Sequence, residues 1–252
     1  MEKCMIARTA AAVLLLWAVM DPPVLVGAGP PPERIEVARF SKAEPDGPLP
    51  EDWKPQIFKK IPRHTDYRIV TDNDRIVVSA ESRNAASGLV RTIAIDPART
   101  PILQWQWKIS GILKKGNVTL KSGDDYPARI YVTFAYDPDR VGFFEKAKYE
   151  AARILYGSYP PAGALAYIWA NKAPRESLSP NPYTDRVKMI AVQSGEANAG
   201  TWITESRNIV DDYQAAFGEP PPMISGIAIM TDTDNTGESA TAWYGDIVFL
   251  GE

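Results

Sequence analysis

Two short stretches concentrate the side chains that could do chemistry. The first, Lys121-Ser122-Gly123-Asp124-Asp125-Tyr126-Pro127-Ala128-Arg129, sets two adjacent carboxylates beside a turn. Such a pair could ligate a hard cation, orient a sugar hydroxyl or work as an acid and base. An Asx turn with an ion pair to Arg129 fits the same residues. The second stretch, Thr231 to Ser239, reads TDTDNTGES and crowds oxygen donors into one turn. Asp232, Asp234, Asn235 and Glu238 are therefore candidate ligands for calcium, the one cofactor the residues suggest. The stretch is not an EF-hand loop, because Trp243 stands at the twelfth position, where a bidentate Glu is needed. A solvated hairpin loop is the alternative. Crowded carboxylates repel one another unless a cation, an arginine or a ligand hydroxyl offsets them, and Arg129 and Arg186 are the expected internal partners.

Three further groupings set an aromatic ring beside hydrogen-bonding side chains: Tyr131 with Arg129, Trp169 with Asn171, and Tyr183 with Asp185 and Arg186. With Asp124 and Asp125 they make up the candidate ligand-binding set. Trp105 and Trp107 could serve as a sugar-stacking platform, but they alternate with Gln104, Gln106 and Lys108 and share a face with Leu103 and Ile109. That spacing marks them as core. His64 lies in a polar stretch without a visible partner and reads as a surface residue rather than a base. One His and one Cys in the whole chain exclude most metal, nucleophile and redox chemistry, which needs several imidazoles or thiolates together. No Walker lysine loop, dinucleotide glycine fingerprint, G-x-S-x-G elbow or H-E-x-x-H occurs. A net charge of -3 argues against a nucleic-acid partner.

The elements that must position these residues read mostly as strands. At 252 residues and 45% hydrophobic the chain has ample material for a core. Short β-rich runs at Arg68 to Val70, Arg75 to Ser82 and Leu89 to Ile95, separated by turn clusters, predict an antiparallel meander. Alternation predicts strands over Ile102 to Ile109 and Ile130 to Tyr136, and further strands are expected at Ala164 to Ala170, Arg186 to Gln193, Thr201 to Glu205, Ile224 to Met230 and Thr241 to Leu250. Two helices interrupt them. Phe143 to Tyr156 places Phe144, Ala147, Ala151 and Leu155 on one face, and Ile209 to Phe217 lies between an Asn208 cap and Gly218. The expected fold is an all-β, jelly-roll-like antiparallel sandwich with two short helices. At the N-terminus, Lys3 and Arg8 precede an apolar run, Thr9 to Met20, and Val26-Gly27-Ala28 supplies small residues for cleavage. Residues 1–28 thus read as a signal peptide and 29–252 as a single domain, periplasmic or secreted. No second long apolar stretch follows, so no membrane span is expected in the mature chain.

Read together, Gln104-Trp105-Gln106-Trp107-Lys108, Gly123 to Arg129, Asn181-Pro182-Tyr183-Thr184-Asp185-Arg186, and Thr231 to Ser239 followed by Tyr244-Gly245-Asp246-Ile247 resemble the bacterial domain of unknown function 3047. The resemblance spans about Phe40 to Phe249. It implies an exported bacterial protein and brings no catalytic residues to carry over. The closing Tyr-Gly-Asp-Ile strand is also similar to the last strand of jelly-roll carbohydrate-binding modules, a likeness of fold. The function expected is recognition of a carbohydrate or envelope glycan. A glycoside hydrolase or lyase using carboxylates among Asp124, Asp125, Asp232 and Glu238 is the alternative.

Overall fold

The computed structural model describes residues 33–156 and 159–251. The expected signal segment lies outside them. Thirteen strands follow in chain order: β1 (Arg34–Ala38), β2 (Lys54–Ile57), β3 (Asp66–Asp72), β4 (Arg75–Arg83), β5 (Ala86–Ile95), β6 (Ile102–Ile109), β7 (Arg129–Phe134), β8 (Gly163–Ala170), β9 (Leu178–Asn181), β10 (Thr184–Ser194), β11 (Ile203–Asn208), β12 (Ile224–Asp232) and β13 (Ser239–Leu250). Six of them form one sheet in the order β11-β6-β13-β4-β3, with β1 joined to β13, and seven form the other in the order β2-β5-β12-β7-β8-β10-β9. The two sheets pack as a sandwich. The inner face of β6 carries Leu103, Trp105 and Trp107, and β8 answers with Leu165, Tyr167 and Trp169, all buried. Ring contacts cross between the sheets, Trp105 to Tyr167 at 5.2 Å and Trp107 to Trp169 at 5.8 Å. Period-two alternation sends the intervening residues outward.

Two features depart from a plain antiparallel meander. β8 and β10 are parallel, because β9 runs back antiparallel along the far edge of β10 and returns the chain in the β8 direction. β4 and β5, expected to pair, belong to different sheets. The chain turns that corner at Asn84, whose φ of 48° is tolerated by a short polar side chain. The link from β12 to β13 crosses between the sheets at the same end, so it is no hairpin. The crossings are bonded to each other: Thr233 N donates to Ala85 O at 2.9 Å, and the Ser82 and Thr233 hydroxyls meet at 2.8 Å.

Both expected helices form with the expected bounds, α1 (Phe143–Tyr156) and α2 (Ile209–Phe217). Asn208 caps α2 by accepting from the amides of Val210 and Asp211, and Gly218 ends it in the left-handed region. The contact face of α1 differs from the one expected. Ala147 and Ala151 are exposed, whereas Tyr149 is buried and stacks on Tyr136 with ring centroids 3.8 Å apart. Among the described residues no helix is long and apolar enough to cross a membrane.

Candidate functional site

The two acidic loops converge. β7 begins at Arg129 and its antiparallel neighbour β12 ends at Asp232, with Arg129 opposite Met230 and Tyr131 opposite Ala228. Opposed residues on an antiparallel pair point to the same side, so Arg129, Tyr131, Met230 and, two residues on, Asp232 share the outer face of the larger sheet. Here Arg129 Nε donates to Asp232 Oδ1 at 3.0 Å and its Nη2 donates to Oδ2, a bidentate pair that is almost fully buried. The same guanidinium lies over the Tyr126 ring, 4.7 Å from its centroid, and donates to the Asp124 carbonyl at 3.2 Å.

Asp125 ties one loop to the other. Its Oδ1 accepts from the backbone and side-chain nitrogens of Asn235, and its Oδ2 accepts from Thr236 N at 2.6 Å. Asn171 holds that junction from behind, donating to Asp125 O at 2.8 Å and accepting from Leu113 N. Gly116 lies so close to Asn171 that a Cβ there would come within 1.9 Å of its Nδ2. Asp124 accepts from Asn181 Nδ2 at 3.0 Å through Oδ2. Among the described residues its buried Oδ1 has no hydrogen-bond partner, and it lies 3.6 Å from Arg129 Nη1. Tyr183 closes the rim, its hydroxyl within donating distance of two acceptors, Asn235 Oδ1 at 2.7 Å and Lys121 O at 3.1 Å, for its one hydrogen.

Asp124, Arg129, Asn181, Tyr183, Asp232 and Asn235 line a recess of about 730 Å3 on the outer face, with Ile57, Phe58 and Val187 as apolar walls. Lys59 and Lys60 also line the recess, while four carboxylates, Asp124, Asp125, Asp232 and Asp234, crowd negative charge around one buried guanidinium. Asp234 registers it: burial, then the charge of Asp125, raises its carboxyl above the ordinary aspartate range. Carboxylate oxygens of Asp125, Asp232 and Asp234 lie within 4.8 Å of one another. Any cation held there would have to share Asp232 with the guanidinium of Arg129, which already supplies the local offset.

Several expected site residues lie elsewhere. Trp169 is fully buried in the core, its Nε1 bonded to Gly195 O, and offers no ring to a ligand. Asn171 is buried and structural. Arg186 pairs with Glu145 of α1 at 2.6 Å and with the Tyr149 hydroxyl instead of the acidic loops. Asp185 is exposed on β10 and does not line the recess. Glu238 turns away to accept from the amides of Lys114 and Lys115, and Asp125 takes its place beside Asp232 and Asp234. His64 is exposed, and Trp105 and Trp107 are buried, as expected. Phe58, Met230 and Asn181 enter the site unforeseen. Phe58 follows an edge strand with no alternating pattern, and Met230 was read only as part of an apolar strand.

The fold and site define a β-sandwich with a recess on the outer face of its larger sheet, over a buried cluster of aspartates and Arg129. The family model described as a protein of unknown function (DUF3047) matches residues 51–248, and the chain belongs to that family. Among solved structures, endoglucanase 3 of family GH12 from Trichoderma harzianum is similar over 81% of this chain and 100% of its own, at 10% identity and a TM-score of 0.37. No curated protein matches.

Proposed function

We propose that the chain binds a neutral carbohydrate in this recess. One observation carries the reading: Asp124, Arg129 and Asp232, fixed by their hydrogen bonds, line the same recess as the rings of Tyr131 and Tyr183. Sugars present hydroxyl edges that need positioned donors and acceptors, and C–H faces that pack on rings. Lys59, Lys60 and Arg129 balance Asp124, Asp232 and Asp234 in the lining, so no net positive charge draws in a uronate. A panel of neutral and uronate oligosaccharides, scored by melting temperature, tests this. A ligand at a hundredfold its Kd should stabilise the native state by about 2.7 kcal/mol. Neutral members should raise the melting temperature, and Tyr183→Ala, at an exposed rim, should remove that rise while leaving the unliganded protein stable. The reading fails if no sugar shifts the transition.

A glycoside hydrolase is the second reading, favoured by the raised carboxyl of Asp234. That group keeps its proton to higher pH than an ordinary aspartate, as a general acid must. Asp234→Asn should then abolish release of reducing ends while sugar binding persists. The stability of this variant distinguishes the electrostatics. A raised native pKa means the charged form is penalised above it, and the penalty disappears as pH falls toward the unfolded value. Asp234→Asn should therefore be more stable than the parent at neutral pH and lose that advantage in acid.

Export belongs to the same proposal, with cleavage after Ala28. Mass spectrometry of protein from its own host should show a chain beginning near Gly29. An intact cytoplasmic chain would refute it.

A further inference from the structure

We infer that the ligand is an extended oligosaccharide lying along the outer face of the larger sheet, not a single sugar held in the acidic recess. This inference rests on the carbohydrate reading above. Phe58, Tyr131 and Met230 line the acidic recess and also a second one of about 810 Å3, so the two adjoin on one face. The floor of the second is made of small side chains, Gly88, Gly226, Ala228 and Thr133, from three adjacent strands. Neighbouring backbone enforces this: a Cβ on Gly226 would lie 2.9 Å from Arg91 O, and one on Gly88 would lie 3.1 Å from Ile229 O. The result is a trough between the Phe58 side and the β7 side. From Asp232 back to Gly226 along β12 the trough runs about 20 Å, at roughly 3.3 Å per residue. That is room for several pyranose rings in line.

The far end differs chemically from the recess. Tyr136 and Tyr159 line it with Pro160 and Pro161, their ring centroids 5.0 Å apart, and Tyr159 is 41% exposed. Tyr136 is itself braced from behind by Tyr149 of α1, the buried contact that seats the helix. No carboxylate lines this second recess. A chain spanning the trough would place hydroxyls over Arg129 and Asp124 at one end and a sugar face on tyrosine at the other.

The test measures affinity for disaccharides and hexasaccharides of the β-1,4-glucose, α-1,4-glucose and β-1,4-N-acetylglucosamine series, with the parent protein and Tyr159→Ala. In at least one series the hexasaccharide should bind about tenfold tighter than the disaccharide, the size of one ring contact. Tyr159→Ala should bring the hexasaccharide down to disaccharide affinity without changing the disaccharide or the melting temperature of the free protein. Equal affinity at both lengths, or a hexasaccharide indifferent to Tyr159→Ala, overturns the extended ligand and leaves the recess reading standing. If neither length binds in any series, the carbohydrate reading itself falls, and the extended ligand with it.

Discussion

Replacing Arg129 by methionine should cost about 3–5 kcal/mol of folding stability, because it strands a buried carboxylate without its partner. The side chains of Arg129 and Asp232 are 3% and 2% exposed. Asp124, with an unbonded oxygen 3.6 Å from the guanidinium, and Asp125 lie in the same cluster. Once the buried cation of this cluster is gone, these carboxylates face one another in a medium that screens poorly. Lysine at the same position should recover little, since one ammonium cannot reproduce the two parallel bonds to Asp232. Chemical denaturation at several pH values decides the matter. The loss should be largest near neutrality and shrink in acid, because protonation of the stranded carboxylates removes the unpaired charge. A loss below about 1 kcal/mol, in the range of an exposed pair, would mean that water reaches the cluster and that it is not the rigid floor of a binding recess.

How far this site was legible in the sequence follows from the range of the interactions that build it. Strand alternation in Ile102 to Ile109 and the caps of α2 are local, and the structure has them where expected. Each acidic loop was likewise visible as composition. Their meeting depends on β7 and β12 being neighbours, a pairing between distant segments that no local pattern encodes. The corner at Asn84 misled for the same reason: two turn residues between strands look alike whether the chain makes a hairpin or changes sheet. Trp169 was read as a surface ring because β8 is buried on both faces, so its pattern offers no polar side to orient it. Arg186 drew its partner from α1, across the sheet surface, and nothing near it in sequence announces Glu145. Short edge strands such as β2 and β9 carry too few residues to show a period, and with β2 went the Phe58 wall of the recess.

The core between the two sheets sets the second large expectation. Trp107→Ala should destabilise the fold by about 3–5 kcal/mol through lost burial and a residual cavity. The ring is fully buried, edge-on to Trp105 at 5.4 Å and 5.8 Å from Trp169, so three large rings lose a shared contact. A second effect separates this position from an ordinary core residue. Trp107 Nε1 donates at 3.3 Å to Oε1 of Glu205, a buried carboxyl whose other donor is Gln193 at 2.7 Å. Burial already raises the Glu205 pKa above its usual range, with these two donors working against the shift. Trp107→Phe keeps much of the ring but removes one donor, and leaving that carboxylate less satisfied should cost about 1–3 kcal/mol near neutral pH. Because the raised pKa penalises the charged form, the cost attached to the missing donor should fade as pH drops through it, whereas the cavity cost of Trp107→Ala should not. Trp107→Ala loses the same donor, so both variants should share this acid-fading component and differ by the cavity cost; a loss independent of pH in both would show that Glu205 does not sense the indole. Sugar binding on the outer face should survive in whatever fraction of either variant remains folded. A Trp107 variant of parental stability that had lost binding would place the ligand on the wrong side of the sheet.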